Sequence, residues 1–241
     1  MTAYIIVLTL GLAAGVLSGI VGFGSSIMLM PALIISFGPR EAVPIMAVAA
    51  IIGNVSRVMV WWREIDWRVV GAYAVTGAPA SALGARTLLV LPPHLVEGSL
   101  AVFFIAMIPL RHYLAKHELK MKLWHLSVAA AVIGFLTGIV VSTGPINVPF
   151  FLAYGLVKGA FIGTEAMSSL SLFITKAVVF RNFGYLPLST IGQGLIVGAS
   201  LMAGAYIAKG FLLKLDAAKF RHLMDALLLI SGITMLWTAF S

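Results

Sequence analysis

An all-α, polytopic integral membrane protein is the fold class this sequence predicts. Three observations predict it: a composition too apolar and too sparsely charged for water, uninterrupted apolar runs of helical length, and a weak duplication of those runs along the chain. Of 241 residues, 61% are hydrophobic and 10% charged, where a soluble domain carries about a quarter charged. The apolar runs leave no stretch long enough for a soluble domain beside them. The opening MTAYIIVLTL has no basic residue, and its apolar run continues far past a short signal core, so no cleaved leader is expected.

Charge and cysteine content exclude several classes. The net charge of +8 is spread among apolar spans rather than gathered on a face or tail, so it speaks for basic loops that hold a topology and against a nucleic-acid partner. The absence of cysteine removes disulfides, thiolate metal sites and cysteine nucleophiles. His94, His112, His117, His125 and His222 all fall in or beside connecting loops, which leaves no imidazole at depth for a serine hydrolase. A metal-cation permease would line its path with carboxylates, imidazoles or thiols, and these are sparse. Neither a metal nor a cofactor is expected.

Taken in order, the apolar segments lie at about 4–37, 43–62, 67–90, 94–113, 123–157, 160–180, 188–210 and 219–240. Two of them are too long. A straight helix over 4–37 would measure about 50 Å at 1.5 Å per residue, against a hydrocarbon core of about 30 Å. Each overlong segment carries an interruption: GIVGFGSSIMLMP at 19–31 and STGPINVPF at 142–150.

The two overlong segments open two halves, 1–113 and 123–241, joined by a linker at 114–122. The halves resemble each other. GLAAGVLSG from Gly11 answers GFLTGIVVS from Gly134, PALIISFG from Pro31 answers PFFLAYG from Pro149, and NVSRVMVWW answers FITKAVVFR, which sets Arg57 opposite Lys176. The expected architecture is two inverted-topology repeats, each opening with a broken or re-entrant helix followed by three spanning helices. If each overlong segment enters the membrane and returns, Arg63, Arg68, Arg111, Lys116, Lys120, Lys122, Lys158, Lys209, Lys214, Lys219 and Arg221 share one face, and Arg40, Arg86 and Arg181 take the other. The first face is then cytoplasmic, and both termini lie outside.

A broken helix in lipid leaves backbone groups unpaired, which is tolerable only where the break is buried in protein or faces a watery cavity. At the first break Gly22 and Gly24 open backbone angles closed to other residues, and Ser25 and Ser26 offer hydroxyls. At the second, Pro145 suits the first turn of a new helix, beside Ser142, Thr143, Gly144 and Asn147. Each break thus aims the N-terminus of a short helix inward, and such an end favours an anion. The alternative is that the glycines serve close helix packing, as in GAPASALGA from Gly77; both readings stand at this level.

Arg57 and Lys176 are intramembrane cations, each costing at least about 2.5 to 3.5 kcal/mol on the lenient insertion scale. They either contact the anion or snorkel to an interface. Glu165, Ser168, Ser169, Thr175 and Lys176 form a polar stripe at helical spacing, with Asn54, Ser56 and Arg57 on the corresponding first-half helix. Glu165 is a candidate for proton coupling or a headgroup-level residue.

These residues resemble a known family. The glycine-broken opening GLAAGVLSGIVGFGSSIMLMPALI, the REIDWR after the next span, GARTLLVLPP closing the third, and the return of this plan in the second half are similar to the sulfite exporter TauE/SafE family of membrane permeases. The similarity covers nearly the whole chain, through order and spacing rather than any single motif. It implies transport of small sulfur-containing anions such as sulfite or organosulfonates across the bacterial cytoplasmic membrane. Lipid and a small anionic solute are the partners implied, and the small-residue faces are compatible with a homo-oligomer. A non-transporting membrane scaffold is the rival, and it needs neither matched breaks nor matched cations.

Overall fold

Each overlong segment folds as two helices in the computed structural model, which describes residues 2–21, 24–92, 121–139 and 143–208 together with single positions at 95, 102, 105, 106, 109, 113, 229 and 233. The first half gives α1 (Thr2–Val21), α2 (Ser25–Phe37), α3 (Pro39–Trp61), a 3-10 turn (Trp62–Glu64) and α4 (Trp67–Val90). The second gives α5 (Leu123–Ile139), α6 (Gly144–Tyr154), α7 (Lys158–Asn182) and α8 (Leu188–Ala208). Apart from those single positions, the spans expected at 94–113 and 219–240 lie outside the described residues, as does Gly22. Among the described residues, Glu41–Glu64, Gly159–Asn182 and Leu188–Ala208 are long and apolar enough to cross a membrane, and Ile6–Gly19, Met28–Phe37 and Leu123–Ile139 are shorter apolar helices.

Local chemistry sets the breaks where the sequence placed them. Gly24, at the N-cap of α2, has φ 105° in the left-handed region, which would cost any side-chain-bearing residue about 1–2 kcal/mol. Thr143 is the N-cap of α6, and Gly144-Pro145 form its first turn, where the missing proline N–H would have had no helical partner. The two short helices run 13 and 11 residues, too short to cross at 1.5 Å per residue. Asp66 caps α4, accepting from Arg68 N at 3.0 Å and Val69 N at 3.2 Å, and its own N–H donates to Thr164 Oγ1 of α7 at 2.9 Å.

Lipid gives no hydrophobic drive for helix association, so small residues that admit close backbone approach decide which helices pair. Along α1 and α8, Gly11 lies against Ser200, Gly15 against Leu201, and Gly19 against Ala205 and Ala208. The numbers climb together, so these helices are parallel. Likewise α3 and α8 are parallel, with Gly194 against Ile45 and Val48 and Gly198 against Ala49 and Ile52. On the other side, Gly77 of α4 meets Ala130 and Gly134 of α5, while Gly84 meets Phe135 and Gly138. Gly77 also touches Leu172 of α7, and the Arg86 guanidinium sits 5.3 Å above the Phe183 ring. Helices α4, α5 and α7 are therefore mutually parallel.

The two groups meet where α3 crosses α7. There Trp61 lies against Gly159 and Gly163 while Arg57 reaches Glu165, so α3 and α7 are antiparallel. Because α1 and α3 run the same way, α2 must carry the chain back between them. By the same geometry α6 carries it back between α5 and α7. Gly11, Gly15 and Gly19 of α1, Gly77 and Gly84 of α4, Gly134 and Gly138 of α5, and Gly194, Gly198 and Gly204 of α8 thus serve close packing, and Gly24 serves the break.

Candidate functional site

Arg57 sits on α3 with 8% of its surface exposed, and its position one turn after Asn54 puts the two on one face. Asn54 Nδ2 donates to Ala50 O at 2.7 Å, which turns its Oδ1 outward to accept from Arg57 Nη2. The guanidinium is thereby aimed across the α3–α7 crossing. Arg57 Nη1 donates to Glu165 Oε2 at 3.2 Å.

The other carboxylate oxygen is also occupied. Glu165 Oε1 accepts from Ser169 Oγ, one turn on along α7, at 2.7 Å and from Asn147 Nδ2 at 3.4 Å. Asn147 lies in the opening turns of α6, and the Tyr73 hydroxyl of α4 donates to its Oδ1 at 2.7 Å, which leaves the amide NH₂ directed at Glu165. The Tyr73 ring is itself held 5.3 Å from Phe151. Donors from α3, α6 and α7 therefore converge on one carboxylate, and α4 orients one of them. A buried ion pair of this kind stands only when its remaining lone pairs and protons are satisfied, and here each side has a second partner.

Lys176 solves the same problem differently. Its Nζ donates to Thr137 O at 2.9 Å, in the last turn of α5, where carbonyls have no helical partner and the helix dipole is negative. Thr137 Oγ1 donates to Ile133 O at 2.7 Å and also meets Thr143 Oγ1, the N-cap residue of α6. The second break is thus tied from both sides. Lys176 also lies 5.5 Å from the Phe180 ring.

Of the two placements the sequence left open, the structure has Arg57, Lys176 and Glu165 inside the bundle rather than reaching its surface. Asn54, Asn147 and Ser169 join them in the network, and Thr143 and Gly144 lie buried at the tip of α6. At the first break Gly24 and Ser26 are buried and Ser25 is half-buried. Among the described residues, Arg57 donates to a carboxylate and Lys176 to a backbone carbonyl. Tyr73 and Thr137 are additions that spacing alone did not single out, because one reads as an ordinary aromatic of a span and the other as a helical threonine. Among the described residues, two hydroxyls, Ser56 Oγ and Ser168 Oγ, are buried without a hydrogen-bond partner, a condition that costs about 1–3 kcal/mol each.

A sequence model of the family described as sulfite exporter TauE/SafE matches residues 7–235. The chain belongs to the sulfite exporter TauE/SafE family. No curated protein and no solved structure matches it. As a TauE/SafE protein it is a membrane transport protein of a transporter family, not of an enzyme family. Its buried charges then have a context, since ionisable groups inside a membrane domain are expensive and mark the path of a solute, an ion or a proton.

Proposed function

We propose that this TauE/SafE protein exports a small sulfur-containing anion, sulfite or an organosulfonate, across the bacterial cytoplasmic membrane. One observation carries the reading: a hydrogen-bonded cluster of Arg57, Asn147 and Glu165 is buried beside the N-terminal turns of a short helix that begins inside the bundle. Asn147 supplies a neutral donor, Arg57 a cation, and the start of α6 its free N–H groups. Gly24, Ser25 and Ser26 at the tip of α2 supply the counterpart from the first half, with Lys176 and Thr143 flanking the second break.

The halves are proposed as inverted repeats, 1–113 and 123–241, with both termini outside. The helix directions support this, since α1 and α3 run against α5 and α7, and α4 runs against α8. The neighbour pairs support it too, because exchanging α1–α4 for α5–α8 turns α1 on α8 into α5 on α4, and α3 on α8 into α7 on α4. A pathway between two such units needs no coupling ion for export. With the cytoplasm negative, each negative charge leaving gains about 2.3 kcal/mol per 100 mV.

Reconstituted liposomes test the proposal. With anions trapped inside and an inside-negative potential imposed, sulfite and methanesulfonate are expected to leave faster than chloride or acetate, and faster still as the potential grows. Efflux no faster than from protein-free vesicles for every sulfur anion would overturn it.

A further inference from the structure

The Glu165 carboxylate does more than neutralise Arg57. Three donors converge on its two oxygens: Arg57 Nη1, Asn147 Nδ2 and Ser169 Oγ. Two of those donors are themselves oriented from behind, Arg57 by Asn54 and Asn147 by Tyr73. This is the construction expected of an oxyanion seat, with donors fixed before the anion arrives. A purely structural contact could be replaced by apolar side chains of similar volume at no loss.

We infer that Glu165 is the protein's internal stand-in for the transported anion: its carboxylate fills the seat made by Arg57, Asn147 and Ser169, and a sulfonate or sulfite binds by displacing it. This rests on the transport reading above. Two geometric facts favour an occupant with more oxygens than a carboxylate has. Ser168, on the same face of α7 as Glu165 and next to Ser169, keeps a fully buried hydroxyl with no hydrogen-bond partner, and Ser56, the residue before Arg57 on α3, keeps another. A carboxylate presents two oxygens. A sulfonate or sulfite presents three, and the spare donor serves the third.

The device also answers a kinetic need. A buried arginine with no internal competitor would hold an anion tightly, whereas transport requires binding favourable enough to enter and weak enough to leave. With two negative charges competing for one guanidinium in a site of low dielectric, the return of Glu165 to its seat expels the solute. Each transport cycle then exchanges one anion for another on Arg57, so the guanidinium always has an anionic partner.

The test measures equilibrium binding of methanesulfonate and of acetate to the purified full chain, alongside flux. Glu165→Gln keeps the shape and removes the competing charge; Glu165→Ala removes the competitor altogether. Both are expected to bind methanesulfonate about tenfold or more tighter than wild type, and to transport it more slowly. Ser168→Ala should lose affinity for methanesulfonate and keep that for acetate. Glu64→Gln, which removes an exposed carboxylate on the turn after α3, should leave affinity unchanged. The inference is overturned if Glu165→Gln binds methanesulfonate no more tightly than wild type, or if Glu64→Gln tightens it equally. Should no protein bind methanesulfonate or sulfite while Glu165→Gln gains acetate binding, the displaced carboxylate stands and the sulfur-anion reading falls.

Discussion

Arg57→Met is expected to lose transport entirely and to lower stability by about 3–5 kcal/mol, because it strands the Glu165 carboxylate inside the bundle without its counter-charge. The double variant Arg57→Met with Glu165→Gln should recover most of that stability, since a neutral pair of similar volume replaces a buried ion pair at little net cost. Transport should not return, because the cationic donor is absent from both proteins. Thermal melting in detergent and liposome flux, measured on the same four proteins of the cycle, separate the two effects. A single variant as stable as wild type would show that the 3.2 Å contact between Arg57 and Glu165 is not a buried pair. A double variant that transports at the wild-type rate would show that the pair serves stability alone.

The second large effect comes from the helix crossings. A methyl group on Gly84 would overlap Phe135 O and the Gly138 backbone, and one on Gly204 would overlap Leu12 O and the backbone of Val16 and Gly15. Backbone cannot step aside as a side-chain tip can, so the helices must separate. Gly84→Ala and Gly204→Ala are each expected to cost about 1–3 kcal/mol or more, and by similar amounts, because they occupy corresponding crossings of the two halves. Gly71 and Gly192 lie on the same two helices with nothing within 4 Å of the added carbon. Gly71→Ala and Gly192→Ala should be neutral or slightly stabilising through helix propensity. Equal losses at all four positions would contradict the packing account, and a loss at Gly84 without one at Gly204 would contradict the repeat.

Much of this was legible in the sequence because lipid constrains backbone so strongly. Length alone required breaks in 4–37 and 123–157, and glycine, serine and proline placed them at Gly24 and at Thr143-Gly144-Pro145. Charge placement implied that each broken segment returns, and the parallel courses of α1 with α3 and of α5 with α7 require α2 and α6 to run back. The side-chain partners were not legible. Arg57 and Glu165 are 108 positions apart, and only the angle at which α3 crosses α7 joins them.

The alignment of the two halves concealed the difference between the two cations. Aligning Arg57 with Lys176 matches their places on the helices, but the residue eleven before Arg57 is Met46, whereas Glu165 stands eleven before Lys176. At that position one half carries a thioether and the other a carboxylate, so the aligned cations do not meet the same group there. Lys176 donates to the carbonyl end of α5. Tyr73 was invisible for a related reason: its phenol matters only through the Asn147 amide that it orients.

The central claim is that an anion occupies the seat now held by Glu165, between Arg57 on α3 and Asn147 on α6. Selenite, the selenium analogue of sulfite, makes that position directly visible by anomalous diffraction from crystals of the protein soaked with it. The account predicts a selenium peak within hydrogen-bonding reach of Arg57 Nη1 and Asn147 Nδ2, with the Glu165 side chain turned out of the seat. A peak elsewhere in the bundle or on the exposed loops, with Glu165 still bonded to Arg57, would contradict it.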